Sequence, residues 1–267
     1  MSAQHKNDDD PILLRSDNNH ICTLTLNRAS RYNALSEELL SALQQALQDI
    51  AKDTTIYVVV LTGAGKAFCP GHDLKQMRAN HDEIYYRKLF EQCSEVMQGI
   101  VNLPQPVIAK VQGMATAAGC QLVASCDMAI AADDVRFAVS GINIGLFCAT
   151  PSVALSRNIS RKHAMEMLLT GEFIDAGTAE KFGLINHAVP REDLDETTER
   201  FASIIAAKPA VSIQLGKKLF YSQIEKQLSS AYVEAGDVMA CNLLEEDTIE
   251  GVDAFLEKRR PSWIKGG

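Results

Sequence analysis

Apolar positions recur along this chain in two rhythms, one of period two and one of three to four. Residues Ile21–Leu26 (ICTLTL) alternate and predict a half-buried strand. Ser36 is placed to cap a helix. Leu39, Leu40, Leu43, Leu47 and Ile50 follow at the spacing of one helix face. The run 56–61 (IYVVVL) has no charged position and predicts a strand covered on both faces. A glycine-containing loop over 62–73 and a helix over 82–101 come next, then a turn at Pro104 and Pro106 and a strand at Val107–Val111. Residues 113–119 form a small-residue loop opening an apolar helix over 120–125, with a further strand at Met128–Ala132. Helices are expected at 152–157, 161–169 and 176–181, punctuated by Gly171, Gly177 and Gly183. From about 193 the chain reads helical to its end, with Pro209 and Gly216 as breaks.

Strands alternating with helices, followed by a helical tail, predict an α/β fold. The expected division is a polar tail over 1–11, a core over 12–200 and a C-terminal helical region over 201–267. The tail's apolar stripe (Phe201, Ile204, Ile205, Val211, Leu215, Leu219) suits packing on its own core or contact with another subunit.

The 267 residues are 46% hydrophobic and 22% charged, which excludes a disordered chain and allows a sizeable core. Lys and Arg number 26 against 34 Asp and Glu, a net charge of −8 that argues against nucleic acid or an anionic membrane as partner. No apolar run reaches the roughly 18 residues of a membrane span. The opening MSAQHKNDDD has neither the apolar core of a signal peptide nor the arginines of a transit peptide. Seven scattered cysteines read as free thiols in a reducing compartment, so a cytoplasmic protein is expected.

Two loops have the composition for chemistry. The first, 65–74 (GKAFCPGHDL), follows a buried strand and holds two glycines and a proline. The second, 113–122 (GMATAAGCQL), opens a helix and is mostly Gly, Ala and Thr. Small residues let a ligand approach the backbone, and a helix N-terminus offers unpaired N–H donors. Two such donors converging on one point would make an oxyanion hole; two tight turns are the plainer alternative. The Gly63–Lys66 segment lacks P-loop spacing, no Cys or His set has zinc spacing, and no G-x-S-x-G elbow is present.

The segments LNRASRYNALS (26–36), VVLTGAGKAFCPGHDL (59–74), PVIAKVQGMATAAGCQLVASCDMAIA (106–131) and LLTGEFIDAGTAEKFGLINHAV (168–189), in this order, resemble the crotonase, or enoyl-CoA hydratase/isomerase, superfamily over roughly 12–263. The resemblance implies a spiral of ββα turns with a C-terminal helical region, assembled as homotrimers or dimers of trimers. It implies an acyl-CoA substrate, with coenzyme A part of that substrate and no separate cofactor or metal, and a place in fatty acid metabolism. By the same resemblance the oxyanion donors are the backbone N–H groups of His72, beside Gly71, and of Ala118, beside Gly119. A left-handed backbone at that second donor would disfavour Ala118. CoA contacts map to Ser30, Arg31, Pro70, Asp73, Leu74 and Lys75, with Ser140 near the acyl site and Phe255 and Lys258 able to close over the nucleotide.

The chain departs from the resemblance where protons move. The two hydratase glutamates fall at Gln121 and Gly141, neither of which titrates. The binding and polarising half of the site is therefore expected without the hydrating half. A positioned acid or base contributes about 10²–10⁴-fold, so glutamates restored at both positions are expected to raise hydration by at least about 10²-fold, provided position 141 accepts the side chain. The His72 imidazole is the nearest titratable alternative. Asn143, Cys148 and Thr150 map to the acyl pocket, with Cys148 as an alternative nucleophile. Decarboxylation, thioester hydrolysis and acyl-CoA binding without turnover stand as rival functions.

Overall fold

The computed structural model describes residues 11–263. The strands are β1 (Leu13–Asn18), β2 (Ile21–Leu26), β3 (Val58–Gly63), β4 (Ala67–Cys69), β5 (Val107–Val111), β6 (Met114–Thr116), β7 (Met128–Ala132), β8 (Arg136–Ala138), β9 (Ile174–Asp175) and β10 (His187–Val189). The helices are α1 (Glu37–Lys52), α2 (Leu74–Ala79), α3 (Glu83–Asn102), α4 (Ala118–Ser125), α5 (Ala149–Asn158), α6 (Arg161–Thr170), α7 (Ala176–Phe182), α8 (Leu194–Ala206), α9 (Ala210–Gln223), α10 (Leu228–Asn242) and α11 (Glu246–Leu256). Apart from Pro11, the polar tail expected over 1–11 lies outside the described residues.

One sheet runs β1-β2-β3-β5-β7-β10 and a smaller one runs β4-β6-β8-β9. All pairs are parallel except β1 with β2 and β8 with β9. The chain therefore winds as a spiral: β3, β5 and β7 each lay a strand in the large sheet, and β4, β6 and β8 follow at once in the small one. Every residue of β3 is buried, as its unbroken apolar run requires, although the strand sits two residues later than the pattern predicts. Ser36 caps α1 through Oγ, which accepts the Leu39 N–H at 3.3 Å, and the five predicted apolar positions are its buried face.

Three expectations need correction. β1 escapes the hydrophobic pattern because it is an edge strand with mostly exposed side chains, joined to β2 by a turn in which Asn19 and His20 both have positive φ. The two candidate loops contain β4 and β6, strands of three residues, too short to carry a period. Gly216 does not break the helical tail; α9 runs through it, while Pro209 does sit at its N-cap. Of the tail's apolar stripe, Phe201 and Ile205 pack on the core, whereas Ile204 and Val211 stay exposed.

The tail is fastened by one buried ion pair. The Lys217 ammonium on α9 donates to Asp127 Oδ2 at 2.7 Å and to the carbonyls of Ile100 and Gln105 at 2.9 and 3.0 Å. Asp127 also accepts from Tyr221 and from the Val107 N–H. Burial pulls the Lys217 pKa down and Asp127 opposes it. Every cysteine is a free thiol, and all are buried except Cys241 on α10.

Candidate functional site

The pairing of β4 with β6 places Ala67 beside Met114 and Cys69 beside Ala115. Both candidate loops thus leave the same end of the small sheet, side by side. The first is held from below by the segment after β2. Asn33, buried and with φ of +64°, donates through Nδ2 to the carbonyls of Ala64 and Ala67 at 2.9 and 2.8 Å. Arg28 pairs with Asp73 at 3.2 Å. Leu35 bridges across His72: the Leu35 N–H donates to the Gly71 carbonyl at 2.8 Å, and the Asp73 N–H donates to the Leu35 carbonyl at 3.1 Å. In this extended geometry the His72 N–H faces the opposite way, toward the second loop. Its neighbours are taken, Gly71 N–H by Cys69 Sγ at 3.4 Å and Asp73 N–H by Leu35. The His72 N–H itself has no acceptor among the described residues.

The second loop meets the first in direct contact. Thr116 Oγ1 donates to the Pro70 carbonyl at 2.9 Å. Gly71 has φ of +103°, and a Cβ placed there would stand 3.0 Å from Ala117 Cβ and 3.1 Å from the Ala118 nitrogen. Gly119 abuts Cys69 so closely that a Cβ would overlap the Cys69 carbonyl. Both glycines are thus set by the approach of the loops. The chain turns into α4 at Ala117, with φ of +48° and ψ of −121°, a conformation that strains any residue with a Cβ. The left-handed position is therefore Ala117, and Ala118 is an ordinary first helical residue. Its N–H is one of the donors that a helix start leaves unpaired; it has no acceptor among the described residues, and the helix dipole adds positive potential.

Three side chains matter beside these donors. The His72 ring packs edge-on to Phe90, with centroids 5.5 Å apart, and both ring nitrogens are buried without a hydrogen-bond partner. Burial pushes its pKa down to about 4, with the Leu35 carbonyl pulling weakly the other way, so the ring is neutral at physiological pH. Gln121, one turn into α4, is 4% exposed, and its Oε1 has no hydrogen-bond partner. Gly141 is buried in the 3-10 turn Ser140–Ile144. A Cβ on it would come within 2.5 Å of the Leu146 carbonyl oxygen and 2.7 Å of Cys148 Sγ. Position 141 has no room for a glutamate; a thiol fills that space. Burial raises the Cys148 pKa, so this thiol is held protonated rather than poised as a nucleophile.

Ser30, Arg31, Leu74 and Lys75 are exposed on the segments flanking the Leu35–His72 bridge, and neither Arg31 nor Lys75 has an ion-pair partner among the described residues. Pro70 and Ser140 are half-buried. Asp73 is occupied in holding the loop: it pairs with Arg28 and caps α2 through the Lys75 and Gln76 N–H groups. Burial alone would raise its pKa, but the Gln76 N–H and Arg28 outweigh it and the carboxylate stays ionised. Phe255, at the end of α11, is 82% exposed, and Lys258 follows with φ of +55°. No hydrogen bond or ion pair joins either to the loops among the described residues. Sequence reasoning missed Arg28, Asn33 and Ala117, which shape the site without facing it. An asparagine amid small polar residues was the one available signal, because asparagine tolerates positive φ. Among the described residues no group of three or more His, Cys, Asp or Glu stands ready to hold a metal.

A family model for enoyl-CoA hydratase/isomerase matches residues 16–266. Rat enoyl-CoA hydratase domain-containing protein 3, named as mitochondrial, is 45% identical over 243 residues, covering 91% of this chain and 81% of the rat protein. A crystal structure of an enoyl-CoA hydratase from Mycobacterium smegmatis superposes with a TM-score of 0.95 at 55% identity, covering 96% of this chain and 100% of that one. The crystal structure of human enoyl-CoA hydratase domain-containing protein 3 does so at 0.92 and 42% identity, covering 95% and 100%.

Proposed function

Since the chain belongs to the enoyl-CoA hydratase/isomerase family, we propose that it binds an acyl-CoA thioester and holds the thioester oxygen between the N–H groups of His72 and Ala118. Charge moving onto that oxygen produces an enolate, and preorganised donors stabilise it; one such donor is worth about 10²–10³-fold in rate. The observation that carries the reading is the contact of Gly71 with the Ala118 nitrogen, which sets two unclaimed donors on adjoining loops. Arg31 and Lys75 are the proposed contacts for CoA phosphates, supported by their exposure beside the first loop. Coenzyme A enters as part of the substrate, and no separate cofactor is required.

Hydration needs a base for water and an acid for carbon. Gln121 cannot titrate, and position 141 holds neither a carboxylate nor space for one. The proposed enzyme is therefore hydratase/isomerase-like in binding and a poor hydratase in turnover. The reading includes a homotrimer or dimer of trimers and a reducing compartment such as the cytosol, in keeping with seven free thiols. No helix among the described residues is long and apolar enough to cross a membrane.

The test uses 2,4-hexadienoyl-CoA, whose conjugated absorption moves to longer wavelength when its carbonyl is polarised. Binding with a red shift is expected; binding without one would remove the oxyanion hole. Crotonyl-CoA is expected to hydrate negligibly, and turnover near roughly 10 s⁻¹, an ordinary enzyme value, would overturn the account of positions 121 and 141.

A further inference from the structure

The amide of Gln121 has no part in the reaction proposed above, yet it is placed as if to meet a ligand. The side chain is 4% exposed and its Oε1 accepts no hydrogen bond from the described residues. Folded chains rarely keep a buried acceptor unpaired, because its lost hydration is not returned, and each such group calls for a specific explanation. Gln121 lies three residues beyond Ala118, on the same face of α4, about 4.5 Å further along the helix axis. Helical side chains lean toward the N-terminus, so the amide comes back over the turn that carries the Ala118 N–H. A thioester oxygen held at that N–H would put the first few acyl carbons beside this amide.

We propose that Gln121 is a specificity-determining residue that selects acyl-CoA thioesters bearing a hydroxyl on the second or third acyl carbon, its Oε1 accepting the hydroxyl proton. The inference rests on the acyl-CoA reading and adds the substrate class. The unpartnered acceptor asks for a donor, which a plain fatty chain lacks and a hydroxyl has. The His72 imidazole, on the adjoining loop with two buried and unpartnered nitrogens, supplies a second neutral polar wall. An amide neither gives nor takes a proton at neutral pH, so Gln121 reads the hydroxyl without eliminating it.

Calorimetric titration of the intact protein with 3-hydroxybutyryl-CoA and with butyryl-CoA tests this. The hydroxy thioester is expected to bind about tenfold tighter, since a site built around a polar group penalises the ligand that leaves it unpaired. Gln121→Met, close in volume and without the acceptor, is expected to level the two affinities. Equal affinities in the unaltered protein overturn the inference alone, whether or not the variant folds. A preference that survives Gln121→Met in folded protein also overturns it. Failure of both thioesters to bind overturns the acyl-CoA reading and takes this inference with it.

Discussion

His72 shows how a motif residue can be legible in identity and illegible in state. Its place beside the first glycine of the loop was plain in the sequence, but the neutrality of its ring depends on the packing of α3 through Phe90. The consequence is a pH-dependent stability. With the folded pKa near 4 and the unfolded value near 6.5, the unfolded chain takes up the proton first as pH falls. The contribution is complete above about pH 6.5 and is lost toward pH 4, amounting to about 2 kcal/mol between pH 7 and pH 5. Urea denaturation at the two pH values is expected to show this loss, with His72→Phe removing that share of the slope; equal slopes in both proteins would show that the ring is not buried neutral. Gln121 and Gly141 were likewise readable as departures, but nothing in the sequence said that the Cys148 thiol fills the space beside Gly141. The strain at Ala117 was also hidden, because alanine gives no sign of positive φ.

At the scale of elements, the site is made by three-residue strands. β4 and β6 read as loops because three residues hold one and a half alternations, yet their pairing brings the His72 and Ala118 segments together. Long elements behaved differently: α1 and β5 follow their hydrophobic patterns with the predicted faces inward. The 3-10 turn Ser140–Ile144 closes over Gly141 just as tightly. Gly141→Ala is therefore expected to cost about 1–3 kcal/mol by overpacking, measured as a lowered denaturation midpoint. Glutamate at both 121 and 141 is expected to disrupt the turn rather than restore hydration, which replaces the expectation from sequence alone. An unchanged midpoint in the alanine variant would show that the turn yields easily.

The whole molecule is well buried at one end and bare at the other. Among the described residues of α9, α10 and α11 only Ala231 and Ala254 are buried, while Phe220, Leu228, Tyr232, Val233 and Leu244 are exposed. An apolar surface of that extent on a chain of net charge −8 is the mark of a contact with another copy. Light scattering at micromolar concentration is expected to give three or six times the chain mass of 29.2 kDa, and a mass of one chain would contradict it. The helical tail was legible from its composition; which of its faces meets the core was not, because that depends on where Lys217 finds Asp127. The same contrast between ends makes the cysteines a built-in reporter. Six thiols are sealed in the interior, and burial holds those of Cys69, Cys93 and Cys120 at about 12, while Cys241 alone lies open on α10. A disulfide reagent is expected to label one thiol per native chain quickly and all seven in denaturant. The rate at Cys241 then becomes a clock for assembly: if α10 lies within the contact between copies, labelling slows as protein concentration rises, and the concentration of half-maximal slowing reads the affinity of one copy for the next.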